Sequence, residues 1–362
     1  EAVEGKLTTP LPLGYCNVGR VIAIGDEVSN FQLGDRVISN GNHAEVVAVP
    51  QNLVAKVPEG VSDDNAVFTV LSAIALQGVR LVSPTIGENV VVIGAGLVGL
   101  LTTKILRANG CRVLAVDIDD QRLKIAKELG CETVNPSSSA DSVSAAMNFS
   151  RGRGADAVII AAAAKTSNII SEAANMCRKR GRVVLVGSVG LDLKRSDFFE
   201  KELTFQVACS YGPGRHDPRY EEKGLDYPVE FVRWTEQRNF EAVLDLMSMG
   251  MINAERFISH RFPITSGADA FKLMLEDDHH LGIVLEYAPD GIVSGQSVPL
   301  PTQRERQRRE ACDDVPSLGI IGAGNYAGAK LLPSFKRAGV SMEIIISRKG
   351  VSGHHLSQKF GI

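Results

Sequence analysis

The apolar positions change period along the chain, and the changes mark out its elements. From Gly19 to Val57, short β-branched runs over residues 18–25, 34–38 and 44–50 are separated by Gly, Asn, Asp and Pro. That pattern predicts antiparallel strands of a small barrel or sandwich. At Ser62-Asp63-Asp64 a helix N-terminal signal begins, and the spacing stays helical to residue 81. Continuous apolar runs then recur at 90–93, 112–116, 157–160 and 182–186, with amphipathic stretches at 100–108, 121–129 and 169–179 between them. Strands apolar on both faces, alternating with helices, predict a parallel sheet covered on both sides, an α/β doubly wound domain.

A strand over 203–208, a loop rich in Gly, Pro and Arg, a helix over 229–249 and a closing segment ending in a strand at 282–286 follow. Residues 289–316, with Pro299-Leu300-Pro301 and the charged run 304–310, read as a linker. At Leu318 a new strand, Gly loop and helix begin: strand 318–321, helix 328–338, strand 343–346. The chain has no initiating Met and stops at Ile362 inside what reads as an unfinished unit, so a fragment at both ends is expected.

Composition changes this picture little. With 362 residues, 44% of them hydrophobic, the chain is long enough for two or three domains with full cores. A net charge of −3 leaves no basic excess, so neither nucleic acid nor an anionic membrane surface is an expected partner, and small molecules are. No apolar run approaches the ~18–20 residues of a spanning helix, and no signal peptide opens the chain, so a cytoplasmic location is expected. The six cysteines, Cys16, Cys111, Cys131, Cys177, Cys209 and Cys312, form no Cys-x-x-Cys and no Cys/His cluster. They indicate neither a disulfide framework nor a zinc ribbon.

Chemistry enters with Gly94-Ala95-Gly96-Leu97-Val98-Gly99, between a strand and a helix. There the first Gly permits a tight turn, the second admits a pyrophosphate and the third lets helix and strand pack closely. Asp117 ends the next strand, where a carboxylate would bond the adenosine ribose 2′-OH and repel a 2′-phosphate, which favours NAD. As a bare turn these glycines would serve packing alone, and Asp117 could instead cap the helix that follows. Ala161 and Gly187, at later strand ends, are expected to line the same cofactor site. A second turn, Gly322-Ala323-Gly324, precedes Ser347-Arg348, a pair suited to a 2′-phosphate if the unit were complete.

With these motifs in view, residues 14–287 resemble a medium-chain dehydrogenase/reductase of the alcohol, threonine and polyol dehydrogenase type. The matching stretches are 25–37, 41–49, 90–116, 154–187 and 261–285. Residues 318–362 resemble the start of a glucose-fructose oxidoreductase/inositol dehydrogenase Rossmann domain, and the order of the two resembles bacterial bi-domain oxidoreductases. The resemblance implies a partial chaperonin-10-like domain over 1–70 and 253–288, an NAD-binding Rossmann domain over 71–252, the linker, and a truncated second Rossmann unit over 317–362. It also implies a homo-oligomer.

Where zinc dehydrogenases carry Gly-His-Glu, this chain has Gly14-Tyr15-Cys16, and the later Cys or Glu ligand aligns with Thr69. Tyr and Thr are not normal Zn²⁺ ligands, so no metal is expected. Carbonyl polarisation then falls to hydrogen-bond donors, with Tyr15, Thr69 and His43 as candidates. Tyr15 as an acid would need its pKa lowered by its neighbours; as a packed aromatic it would not. Arg215 and Arg219 could grip an anionic substrate or stand solvated. The function expected is an NAD-dependent, zinc-independent oxidoreductase moving hydride between nicotinamide and an alcohol or carbonyl, sugar or polyol in type. A quinone- or enone-type reductase and a non-catalytic dinucleotide-binding module are the rivals.

Overall fold

The computed structural model describes residues 12–138, 141–276, 279–288, 317–348 and 350–362. The linker expected over 289–316, its charged run and Cys312 lie outside the described residues. The chain divides into one compact unit, Tyr15–Ala288, and a smaller one built from the remaining segments.

The larger unit begins with an antiparallel sheet of β1 (Asn17–Arg20), β2 (Arg36–Ser39) and β3 (Val54–Lys56), in the order β1-β2-β3. The strand expected over 44–50 is not formed. Ala44, Glu45, Val46 and Ala48 are all exposed, so the run has no buried face to hold it in a sheet, and Pro50 has no N–H to give. The helix expected over 63–81 is split into α1 (Asp63–Ala66) and α2 (Thr69–Val82). Ser62 caps the first by accepting from the Asn65 N–H. The Thr69 hydroxyl donates to the Ala66 carbonyl at 2.7 Å, in place of the amide a continuous helix would bring.

Six parallel strands then form the main sheet: β4 (Asn89–Ile93), β5 (Arg112–Val116), β6 (Glu132–Val134), β7 (Ala155–Ile160), β8 (Cys177–Leu185) and β9 (Thr204–Val207). Their order is β6-β5-β4-β7-β8-β9, so the direction of winding reverses at β4. Alternation within each strand separates two cores. Val90, Val92, Ala157, Ile159 and Val184 face the side of α2 and α3 (Leu97–Ala108). Val91, Ile93, Val158, Ile160 and Val183 face α5 (Ser142–Phe149) and α6 (Asn168–Met176). Both sides are buried, which is why the strands read as unbroken β-branched runs. The helix α4 (Asp120–Glu128) joins β5 to β6, and the short α7 (Arg195–Phe199) and α8 (Pro218–Glu221) flank β9.

The next helix, α9, spans Glu236–Ser248 and starts later than its apolar spacing suggests, because Thr235 caps it. The unit closes with β10 (Ile258–Pro263), α10 (Gly267–Glu276) and β11 (Gly282–Glu286), the two strands pairing in parallel. In the smaller unit β12 (Ser317–Ile321) and β13 (Ser341–Ile346) pair in parallel, connected through α11 (Leu332–Arg337). A final helix, α12 (Val351–Phe360), was not read from the pattern. Ile320, Ala323, Leu332 and Leu356 form this unit's core. No helix among the described residues is long and apolar enough to cross a membrane.

Asn65 ties α1 to the far end of the unit: its amide donates to the Ile252 carbonyl at 3.2 Å, and its oxygen accepts from the Ala254 N–H at 2.7 Å. Both partners are buried, so Asn65→Ala strands a donor and an acceptor. A loss of about 2–4 kcal/mol in urea unfolding is expected; a change within error would show that the two backbone groups find other partners.

Candidate active site and dinucleotide cradle

Three strand ends converge where the sheet reverses. Gly94, after β4, has φ of +96°, and a Cβ there would stand 2.7 Å from the Ala162 nitrogen. A Cβ on Gly99 would stand 1.8 Å from the Gly94 carbonyl oxygen, and one on Gly187 2.1 Å from that of Ala162. The Ala161 N–H donates to the Ile93 carbonyl and the Gly187 N–H to that of Ile160, so β4, β7 and β8 end in one crevice.

Gly96 differs from its neighbours. Among the described residues nothing lies within 4 Å of where its Cβ would stand. It is the residue before α3, makes no side-chain cap and is followed by a first turn without acidic residues. The leading amides of α3, those of Leu97 and Val98 included, are therefore the kind of anion site that a helix N-terminus provides. Asp117 accepts from the Ala95 N–H at 2.5 Å and from the Asp119 N–H at 2.9 Å, bracing the glycine turn. Capping of α4 belongs to Asp119, which accepts from the Gln121 and Arg122 amides. Each Asp117 oxygen keeps a second lone pair for a ribose hydroxyl. The residues present thus fit a dinucleotide.

Gly322 and Gly324 form a comparable turn after β12, Gly322 at φ +103°. No atom of the described residues lies within 4 Å of a Cβ at either. The Ser347 hydroxyl accepts from the Gly353 N–H, and Arg348 is exposed.

The catalytic candidates fall in three different settings. Tyr15 is 48% exposed, and the part of its ring that is covered, beside the Cys16 thiol, pushes its pKa up. The lowering that an acidic phenol would need is thus not found. Cys16 is pushed up to about 12 by burial, against a hydrogen bond from the Leu71 backbone. Thr69 is fully buried with its hydroxyl committed to Ala66, so the structure withdraws it from any contact with substrate. His43 is exposed, with its ring 6.2 Å from that of Phe271, and partial desolvation lowers its pKa. Among the described residues no three of His, Cys, Asp or Glu are grouped to hold a metal ion.

The arginines expected to grip an anion already have partners. Arg215 pairs with Glu221 and lies 5.6 Å over the Tyr211 ring, and Arg219 reaches Asp217 at 3.5 Å. Tyr211 is buried and its hydroxyl accepts from Asn40 at 2.8 Å, which links the loop after β9 to the end of β2. Under this loop lies a residue the sequence did not single out. Glu236 is fully buried, and neither carboxyl oxygen has a hydrogen-bond partner among the described residues. Burial first, then the charge of Glu221, push its pKa up to about 8, with Arg215 pulling the other way. In sequence it reads as an ordinary first-turn acid, and no local signal distinguishes it.

Comparison with known proteins agrees with the fold. Residues 1–59 match the alcohol dehydrogenase GroES-like domain and residues 98–225 the zinc-binding dehydrogenase model. The (R,R)-butanediol dehydrogenase of Bacillus subtilis is 24% identical over 290 residues, 70% of this chain and 74% of that protein. Among solved structures, the alcohol dehydrogenase TADH of Thermus sp. ATN1 shares the fold with a TM-score of 0.64 at 24% identity, over 80% of this chain and 89% of that one. The rspB alcohol dehydrogenase of Escherichia coli CFT073, complexed with NADH, does so with a TM-score of 0.61 at 24% identity, over 75% and 83%. The chain is thus similar, over residues 1–59 and 98–225, to the two domains of zinc-type medium-chain alcohol and polyol dehydrogenases, and its activity is that of an oxidoreductase.

Between the ordinary glutamate range and about pH 8, the folded state holds a proton on Glu236 that the unfolded chain has released. Stability from this group therefore falls as pH rises through that window. Glu236→Gln, neutral throughout, is expected to melt close to wild type at about pH 5 and several degrees above it at about pH 9. A melting difference independent of pH would contradict the buried acid.

Proposed function

We propose that this chain is an NAD-dependent oxidoreductase that works without a catalytic zinc and acts on an alcohol or carbonyl of sugar or polyol type. The observation that carries the cofactor reading is Gly96: the described residues leave its Cβ position open, which supports a glycine kept for a group that approaches from outside. The carboxylate of Asp117 would accept from the ribose hydroxyls and would repel a 2′-phosphate, which supports NAD over NADP.

When bound, the nicotinamide supplies or accepts the hydride. The chain's part is to hold and polarise. The amides of Leu97 and Val98 would hold the pyrophosphate, and Ala161 and Gly187 would line the crevice that receives the nicotinamide end. Tyr15, with its pKa raised, keeps its proton over the working pH range and acts as a neutral donor to the oxygen on which charge develops. The pairing of Arg215 and Arg219 with carboxylates supports an uncharged polyhydroxyl substrate over a phosphorylated one. Residues 317–362 are read in the same way as the start of a second dinucleotide-binding unit, with Gly322 and Gly324 at its turn and Ser347-Arg348 suited to a 2′-phosphate. A cytoplasmic homo-oligomer belongs to this reading and rests on the family resemblance.

Gly96→Ala meets no protein atom, so its melting temperature should stay at the wild-type value while its Kd for NADH rises by about tenfold or more. Unchanged NADH affinity would sink the cradle. Turnover is expected to survive dialysis against a chelator. Tyr15→Phe should lower kcat by about 10²-fold with NADH binding intact, and an unaffected kcat would remove Tyr15 from the reaction.

A further inference from the structure

The loop over Glu236, residues 208–217, is bent back and forth along its length. Ser210, Gly212, Gly214 and His216 have φ of +45°, +115°, +110° and +67°. Glycine takes such angles freely, but Ser210 and His216 hold them against a steric cost. The two glycines are pressed inward: a Cβ on Gly212 would stand 2.7 Å from the Asn239 amide nitrogen, and one on Gly214 2.6 Å from the Tyr220 ring. The Glu236 N–H donates to the Pro213 carbonyl at 3.0 Å, so the loop rests directly on the residue it covers.

The charged and titratable groups that act on the buried carboxyl are Arg215 and Tyr211 from the loop, Tyr220 and Glu221 from α8, and Tyr227 beyond it. Among the described residues, α2 and β3, which also pack on α9, add no charge to this set. Arg215 is the one cation in the set, and it is engaged with Glu221. As a neutral acid Glu236 can stay where it is. As a carboxylate with no donor it cannot, because an unpaired buried charge costs several kcal/mol. Two remedies exist, Arg215 turning from Glu221 to Glu236 or water entering, and both displace a loop whose backbone is already strained.

We propose that residues 208–217 form a cover gated by the protonation of Glu236: when the proton leaves, Arg215 gives up Glu221, the loop lifts, and Tyr211 is drawn off Asn40. Since the Asn40–Tyr211 bond ties this loop to the end of β2, lifting it loosens the three-stranded sheet from the six-stranded one. The burial and the Glu221 charge that push Glu236 up to about 8 put the change just above neutrality, with the cover shut at about pH 7 and lifted at about pH 9. The gate does not depend on the identity of the cofactor or of the oxidisable substrate.

Trp234, the only tryptophan in the chain, precedes Glu236 by two residues and reports on its surroundings. The full chain is followed by Trp emission between about pH 7 and about pH 9, and by trypsin cleavage after Arg215 and Arg219, read from fragment masses. Trypsin itself responds to pH, so wild type is compared with Glu236→Gln at each pH. Wild type is expected to show an emission change with its midpoint near about 8 and, at the alkaline end, cleavage at the two arginines about tenfold or more faster than in Glu236→Gln, which stays shut. Glu221→Gln removes both the like charge and the resting partner of Arg215, so its midpoint should move down by about one pH unit, a shift that a merely structural Glu221 would not give. Should Glu236→Gln fail to fold, Glu221→Gln carries the comparison. The same emission change in Glu236→Gln, a midpoint unmoved or raised in Glu221→Gln, or cleavage that is equal in wild type and Glu236→Gln would each overturn the proposal.

Discussion

A Cβ on Gly99 would stand 1.8 Å from the Gly94 carbonyl oxygen, and the seat of α3 on β4 depends on its absence. That contact fixes the angle at which the helix leaves the strand, and with it the direction of the first α3 amides. Gly187 applies the same constraint from the other side, its Cβ position lying 2.1 Å from the Ala162 carbonyl oxygen. The crevice is therefore shaped by backbone pressed against backbone, which leaves little freedom for its floor to move. Asp117 adds a hydrogen-bonded brace through the Ala95 amide. The proposed cofactor cradle is thus a property of the sheet's reversal point rather than of any mobile side chain.

Around this rigid floor, α2 acts as a spine. Val70, Ala73, Leu76 and Val79 are buried in the core that also holds Val90, Ile159 and Leu244. Arg80 of the same helix reaches Asn239 on α9, and Asn239 in turn donates to the Tyr211 carbonyl. The loop over Glu236 is thereby linked to the helix that runs beneath the crevice, and polar contacts that are far apart in sequence are held by one packed core.

Legibility in the sequence followed burial. The strands β4, β5, β7 and β8 were plain because both faces are covered, and the glycine turn was plain because its steric demands are local. The run over 44–50 misled because its β-branched composition says nothing about whether a face is buried, and here none is. The break between α1 and α2 depends on Asn65 reaching Ile252 and Ala254, contacts that no local window contains. Resemblance assigned Thr69 to a ligand position, yet its hydroxyl serves the helix junction. Glu236 becomes unusual only through neighbours brought by tertiary packing.

The bonds from α1 to residues 252 and 254, with those from Ser62 to Glu255 and from Asp64 to Arg261, have a consequence for synthesis on the ribosome. The six-stranded sheet is contiguous between residues 89 and 207 and can assemble as soon as it has emerged. The N-terminal sheet cannot: its docking surface is made of chain translated almost two hundred residues later, at a separation of 187 for the Asn65–Ile252 bond. During translation residues 17–56 wait with their apolar side uncovered, and β1 stands at the edge of its sheet throughout. Nascent-chain chaperones that mask such edges would find their client in this three-stranded sheet, well before the crevice-forming sheet needs any help.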